Sequence, residues 1–112
     1  MIKPSDPRQL AIDLLPRSIC SVQVAAVLAH KDGIYSWGWN SVGAGLGEHA
    51  EASAIRRTAR SKLYAMDIYI ASQRRRNGKV VNSKPCKDCQ RLLDKYLITA
   101  YYRDNDGEWR KV

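Results

Sequence analysis

The hydrophobic and polar positions along the chain predict five β-strands. Residues 22–30 (VQVAAVLAH) are almost continuously apolar, which is typical of a central strand covered on both faces. Residues 34–40 (IYSWGWN) alternate instead, and Lys31-Asp32-Gly33 before them supplies the turn of a hairpin. Further strands are predicted at 66–72, 98–103 and 108–112, with the turn signal Asn105-Asp106-Gly107 before the last of them.

Three other segments have helical character. The first opens at Asp6-Pro7 and runs to Leu15, where Pro16 ends it. The second covers 49–63 and follows a glycine-rich stretch at 41–47, and the third covers 85–97 with Pro85 near its first position.

The resulting order, α-β-β-α-β-α-β-β, predicts an α/β fold in which a mixed sheet of about five strands has helices on both faces. A chain of 112 residues suits a single domain, 1–112. Because strand, helix and strand recur in succession, the first, third and fourth strands are expected to run parallel. Tyr35, Trp37 and Trp39 share one strand face and are expected to pack mainly against a helix.

The composition narrows the class of protein. The net charge is +8, from 19 Lys and Arg against 11 Asp and Glu, and such an excess favours polyanions, above all nucleic acid. No apolar run is long enough to span a membrane, and MIKPSDPRQL lacks the apolar core of a signal peptide, so we expect a soluble cytoplasmic protein without a membrane partner. Three cysteines are too few for a disulfide scaffold. Cys20 is expected to be a buried small hydrophobe.

The remaining two cysteines and a histidine form a candidate metal site. Cys86 and Cys89 lie three residues apart at a predicted helix start, so both side chains project from one face, where the helix terminus favours thiolates. His49 supplies a third ligand of suitable type, which leaves the fourth position of a zinc ion open for water. Glu51 can share this site only at the mouth of its helix, where it would serve as proton shuttle rather than ligand.

Other interpretations of the same residues exist. His49 and Glu51 could be a helix cap or a surface pair, and the C-x-x-C pair could be redox-active. A structural zinc would need a fourth donor such as Cys20 or His30, and neither lies in a ligand-like pair.

Taken together, H-x-E (49–51) and P-C-x-x-C (85–89) resemble the signature of the zinc-dependent nucleobase and nucleotide deaminases. The resemblance extends over nearly the whole chain, because the predicted order of elements is also that of the three-layer deaminase fold. It implies that His49, Cys86 and Cys89 bind zinc and that Glu51 transfers protons. Activated water would then replace the exocyclic amine of the base.

The resemblance also implies substrate contacts. Asn40 matches the position at which many family members contact the sugar, and the backbone N–H of Ala50 matches the group that binds the pyrimidine carbonyl. Lys84, Pro85 and Tyr102 are expected at the same pocket. Free-nucleoside cytidine deaminases usually carry a glutamate where this chain has Val42, and its loss weakens the free-nucleoside reading.

Four arginines could form a phosphate-binding rim: Arg74, Arg75, Arg76 and Arg103. With this rim, we expect conversion of cytosine to uracil in single-stranded nucleic acid, with DNA slightly preferred. The alternatives are the same reaction on free cytidine or deoxycytidine nucleotides, and a non-catalytic zinc-stabilised module that binds nucleic acid. Oligomeric state, flanking-base preference and biological role cannot be predicted from this sequence.

Overall fold

The predicted order of helices and strands is confirmed. The computed structural model describes residues 6–31, 33–41, 49–59 and 62–112. The glycine-rich stretch after Ser41, which includes Val42, therefore lies outside the described residues, as does Asp32 of the first turn. The described elements are α1 (Pro7–Leu14), β1 (Val22–His30), β2 (Gly33–Trp39), α2 (Ala50–Arg56), β3 (Asp67–Arg74), α3 (Lys87–Lys95), β4 (Thr99–Arg103) and β5 (Trp109–Lys111), with a short 3₁₀ helix at Leu15–Arg17 after α1.

The strands form one mixed sheet in the order β2-β1-β3-β4-β5. β3 and β4 are parallel, but β1 pairs antiparallel with both β2 and β3. The expectation that β1 runs parallel to β3 and β4 is therefore wrong. The hairpin turn reverses the chain after β1, so it is β2 that runs in the same direction as β3, and β1 lies between them.

Helices cover both faces of this sheet, which confirms the predicted three-layer architecture. α1 packs on one face, where its apolar side contacts Ala25, Val27 and Ala71. α2 and α3 pack on the opposite face, where the buried cluster includes Ala26, Leu28, Ile68 and Ile70 of the sheet. Within the described part of the chain, no helix is long and apolar enough to cross a membrane.

The strand directions bring the chemically interesting residues to one end of the sheet. β2, β3 and β4 run in the same direction, so their carboxyl ends lie at the same end of the sheet. We call this end of the strands the site end. α2 follows β2 in the chain, and α3 follows β3. Ligand sites in α/β sheets lie beyond the carboxyl ends of strands for this reason.

Some sequence-based details are corrected. α2 ends at Arg56 and not near 63, and α3 begins at Lys87 with Cys86 as its N-cap, so Pro85 precedes the helix. Cys20 is only partly buried. Tyr35 and Trp37 do not pack mainly against a helix, because each is 42% exposed; only Trp39 joins the cluster beneath α1.

Gly38 allows α2 to approach β2 closely. A Cβ atom at this position would lie 2.6 Å from the backbone nitrogen of Ala54 and 2.6 Å from the Ser53 side chain. Beside it, the Ser36 hydroxyl donates a 2.8 Å hydrogen bond to the Ala54 carbonyl. The backbone of the helix thus rests directly on the strand.

We therefore expect Gly38→Ala to destabilise the protein by about 1–3 kcal/mol, the usual cost of forced overpacking. Urea denaturation measures the loss. Gly78→Ala provides a comparison for backbone strain alone: no atom lies within 4 Å of a Cβ there, but its φ of +70° strains an alanine, so its loss of stability contains no contribution from overpacking. A Gly38→Ala protein as stable as the parent would contradict the contact.

Candidate zinc site

Two helix N-termini meet at the site end. His49 is the N-cap of α2 and Cys86 is the N-cap of α3, and both have extended backbones. The Cys86 sulfur accepts a 3.5 Å hydrogen bond from the backbone N–H of Cys89. Because His49 precedes the helix, its angular separation from Glu51 is not that of a regular helix, and the two side chains can face one site.

Three ligand atoms converge there. The Nδ1 atom of His49 lies 3.2 Å from the Cys89 sulfur and 3.9 Å from the Cys86 sulfur. All three atoms lie within 4.8 Å of one another. Ligands bound tetrahedrally to one zinc ion, with metal–ligand distances of about 2.0–2.3 Å, are separated by roughly 3.3–3.8 Å. The two sulfurs and one imidazole nitrogen are therefore compatible with zinc in both chemistry and spacing.

Glu51 is a buried carboxylate beside this cluster. Its side chain is 5% exposed, and it lies in the first turn of α2. Burial raises the pKa of the Glu51 carboxyl, while hydrogen bonds from its own backbone N–H and from the Cys89 thiol oppose that rise. Burial, with the negative charge of Glu51, also raises the pKa of the Cys89 thiol in the metal-free chain. The Glu51 carboxyl thus interacts with a candidate ligand, and its burial favours the protonated form.

The loop before the cysteines is fastened by Ser83, which sequence analysis missed. Its hydroxyl oxygen lies 2.8 Å from the carbonyl oxygens of both Ile70 and Arg103, which share its one proton, and it accepts a 2.9 Å hydrogen bond from the Arg103 N–H. One residue earlier, the Asn82 N–H donates a 2.8 Å bond to the Asn105 side chain. Ser83 therefore joins the loop to β3 and β4 three residues before Cys86, and no sequence signal distinguishes it from an ordinary loop serine.

The turn that carries Asn105 is itself held by a buried carboxylate. Asp104 accepts hydrogen bonds from the backbone N–H groups of Asp106 and Glu108, at 2.9 and 3.0 Å. It also pairs with the Arg110 guanidinium, and this hydrogen bond lowers the pKa of Asp104. The β4–β5 hairpin is thus a fixed support at the site end.

Asn40 lies at the carboxyl end of β2 as predicted, but its side chain is largely engaged. Its amide oxygen accepts from the Ser18 hydroxyl at 2.7 Å and from the Val24 N–H at 2.9 Å, and its amide nitrogen donates to the Val22 carbonyl at 2.8 Å. The second amide hydrogen of Asn40 has no acceptor among the described residues. A sugar contact by Asn40 stays a prediction.

The other residues expected at the pocket differ in their position and in their burial. Tyr102 pairs with Ile70, so it lies on the sheet face that carries α2 and α3. Lys84 is exposed, Pro85 is partly buried, and Ala50 is fully buried as the first residue of α2. These positions are compatible with the expected substrate contacts but do not test them.

The rim arginines do not form one group. Arg74 ends β3 and lines a cleft of about 300 Å³ with Lys79 and Asn105, while Arg75 and Arg76 line a neighbouring recess of about 360 Å³. Arg103 ends β4 but pairs with Trp109, which packs on the α1 face of the sheet. Arg103 is therefore at the site end but on the other face from α2 and α3.

The fold has three layers, and two cysteines and one histidine form a site where two helix N-termini meet. This combination defines a zinc hydrolase of the deaminase class. The sequence profile of the cytidine and deoxycytidylate deaminase zinc-binding region matches residues 7–102. The chain therefore belongs to the cytidine and deoxycytidylate deaminase family, and zinc is its metal. Among curated protein sequences, none is significantly similar to it.

Solved structures share the fold at low sequence identity. Cytidine deaminase from Burkholderia pseudomallei is 17% identical with a TM-score of 0.74, over 95% of this chain and 88% of that one. Cytidine deaminase from Mycobacterium leprae is 20% identical with a TM-score of 0.65, over 93% and 88%. The dCMP deaminase of cyanophage S-TIM5 is 20% identical with a TM-score of 0.66, over 88% and 79%.

Proposed function

We propose that this protein hydrolyses cytosine to uracil within single-stranded nucleic acid, with DNA slightly preferred. The observation that carries the chemistry is the buried Glu51 carboxylate in contact with Cys89, beside three ligand atoms within 4.8 Å of one another. A purely structural zinc site has no use for such a carboxylate, and this argues against a non-catalytic zinc-stabilised module.

The residues of the site have different roles in this reaction. His49, Cys86 and Cys89 would hold zinc, which when bound would make a water molecule acidic enough to serve as the nucleophile at neutral pH. Glu51 accepts a proton from that water and returns it to the base. Water oxygen becomes bonded to C4 of cytosine, the C4–N bond breaks, and ammonia leaves as the carbonyl forms.

Burial suits Glu51 to this exchange. A carboxyl whose pKa is raised toward neutrality both accepts and releases a proton readily, whereas an exposed glutamate holds its proton too weakly. The position of Glu51 one residue after Ala50 also places it at the mouth of α2, where the backbone N–H groups of the first turn are directed out of the helix.

The choice of nucleic acid rests on charge at the site end. Arg74, Arg75 and Arg76 line recesses there, and the whole chain carries a net charge of +8. Bases in a duplex are shielded by stacking, so a single strand or a flipped base is required. Free deoxycytidine nucleotide is the second candidate, since the similar cyanophage enzyme is a dCMP deaminase and was solved with dCMP and dUMP.

A substrate panel tests the choice. We expect uracil to form in a cytosine-containing single-stranded oligonucleotide with higher kcat/KM than in dCMP or cytidine. Replacing Arg74 and Arg76 together by alanine should lower the oligonucleotide kcat/KM about tenfold. It should also flatten its log–log salt dependence by about 1.4, because each phosphate contact on a single strand contributes about 0.7.

Arg91→Ala is the matched control, because Arg91 is exposed and forms an ion pair with Asp88 on α3. Its oligonucleotide kinetics should equal those of the parent. Turnover of mononucleotides alone would show that the second candidate, and not the first, is the substrate.

A further inference from the structure

The outer edge of the sheet at β2 carries exposed aromatic side chains. β2 is the terminal strand, and its Tyr35 and Trp37 are each 42% exposed. Tyr64, which follows α2 in the chain, is 57% exposed. Large aromatic groups bury much apolar area when they are covered, so several of them exposed together mark an interaction surface.

Cationic side chains lie beside the aromatic rings of β2. The Arg57 guanidinium lies 5.0 Å from the centroid of the Trp39 ring, and that of Arg17 lies 5.9 Å from it. Arg57 also lines a recess of about 200 Å³ together with Tyr35, Ser36 and Trp37.

A second recess continues the surface. It has a volume of about 240 Å³ and is lined by His30, Tyr35, Lys62, Tyr64 and Met66. Tyr35 borders both recesses, so together they form one surface, which we call the β2 edge groove. Among the described residues that line it there is no carboxylate.

We infer that the β2 edge groove binds single-stranded nucleic acid, with bases on its aromatic rings and phosphates on Arg57 and Lys62. Aromatic platforms beside cations hold single strands without regard to sequence, because every base has a π-face and every linkage a phosphate. β2 has seven residues and spans roughly 20 Å, which is room for a few nucleotides. The carboxyl end of β2 lies at the site end, whereas His30 and Met66, which line the second recess, lie at the opposite end of the sheet.

The positive charge of the β2 edge groove favours single-stranded nucleic acid over a second copy of the protein as its occupant. An exposed edge strand could pair with its equivalent in another chain. Such pairing would bring Arg57 and Lys62 of two strongly basic chains together, and like charges in contact are costly. A polyanion neutralises the same groups instead.

Binding of an oligonucleotide without cytosine tests the inference apart from turnover. The probe is a fluorescein-labelled oligothymidylate of about twelve nucleotides, titrated with the zinc-loaded protein and followed by anisotropy. We expect Trp37→Ala and Arg57→Ala each to weaken binding about tenfold, and Trp37→Phe, which keeps a stacking ring, to retain most of the affinity.

Two controls match these changes. Leu97→Ala removes a 70% exposed apolar side chain from the turn after α3, and Arg91→Ala removes an exposed cation from α3. Both should bind the probe as the parent does. Circular dichroism checks that each variant is folded.

Unchanged binding in Trp37→Ala and Arg57→Ala would overturn the inference. So would a concentration-dependent dimer, seen in sedimentation, that Trp37→Ala abolishes while probe binding is unaffected. The proposed function fails separately: the groove could bind the probe while only mononucleotides are deaminated, or oligonucleotides could be deaminated with no effect of Trp37.

Discussion

Glu51→Ala is expected to keep its zinc and to lose cytosine deamination by roughly 10²- to 10⁴-fold, the range that positioned proton transfer contributes. The physical reason is that Glu51 is the buried carboxyl in contact with the ligand cluster but outside the set of ligand atoms that converge there. Ammonia release measures the activity, and elemental analysis measures the zinc. Glu51→Gln keeps the size of the side chain and should be equally inactive.

Asp88→Ala is the matched control for this prediction. Asp88 is also an acidic residue in the first turn of a helix at the site, but its side chain is 91% exposed and paired with Arg91. It should keep nearly full activity. Full activity in Glu51→Ala would contradict the proposed chemistry, whereas loss of zinc in that variant would show that Glu51 acts through the metal site.

Cys89→Ser is expected to lose both zinc and activity. Even residues that only support a metal ligand cost about 10- to 100-fold in affinity when changed, so removal of a buried sulfur ligand should cost at least about 100-fold. Because the site joins α2 to α3, zinc loss should also lower the melting temperature, and chelation of zinc from the parent protein should lower it similarly.

Cys20 provides the matched control for that change. It is the remaining cysteine, it is only partly buried, its backbone N–H donates to the Ser18 hydroxyl, and it is not among the three residues whose ligand atoms converge. Cys20→Ser should bind zinc as the parent does. If Cys89→Ser retained stoichiometric zinc and full activity, the assignment of the ligands would be wrong.

Local patterns predicted the elements well because they depend on neighbouring residues. The apolar run 22–30 coincides with β1, and the Asp-Gly turn does join β4 to β5. The expectation for β1 was wrong although the hairpin reverses the chain after β1 and the helical crossover through α2 makes β2 parallel to β3. The spatial order of the strands could not be predicted in the same way: the crossover carries the chain past β1, so that the first strand of the hairpin lies inside the sheet.

In the candidate site, too, some features could be predicted from local sequence patterns and others could not. The residue types and spacing of His49, Cys86 and Cys89 were sufficient to predict a metal cluster, since few other arrangements need them. The exposure of Trp37 and the orientation of Arg103 were not predictable. Alternation in β2 identifies a shared face but not that the strand is at the edge, and Arg103 changes faces with a shift of one residue.

The hydrogen bonds from Ser83 to Arg103 and from Asn82 to Asn105 affect how the selectivity of the protein can evolve or be engineered. A turn at the rim of an active site is ordinarily free to vary, which makes it a natural place to evolve or engineer a new preference. Here the turn after β4 is tied to the loop that ends in Cys86. We expect libraries randomised at 104–107 to yield variants whose altered selectivity comes with altered metal retention, unless Ser83 and its partners are held constant.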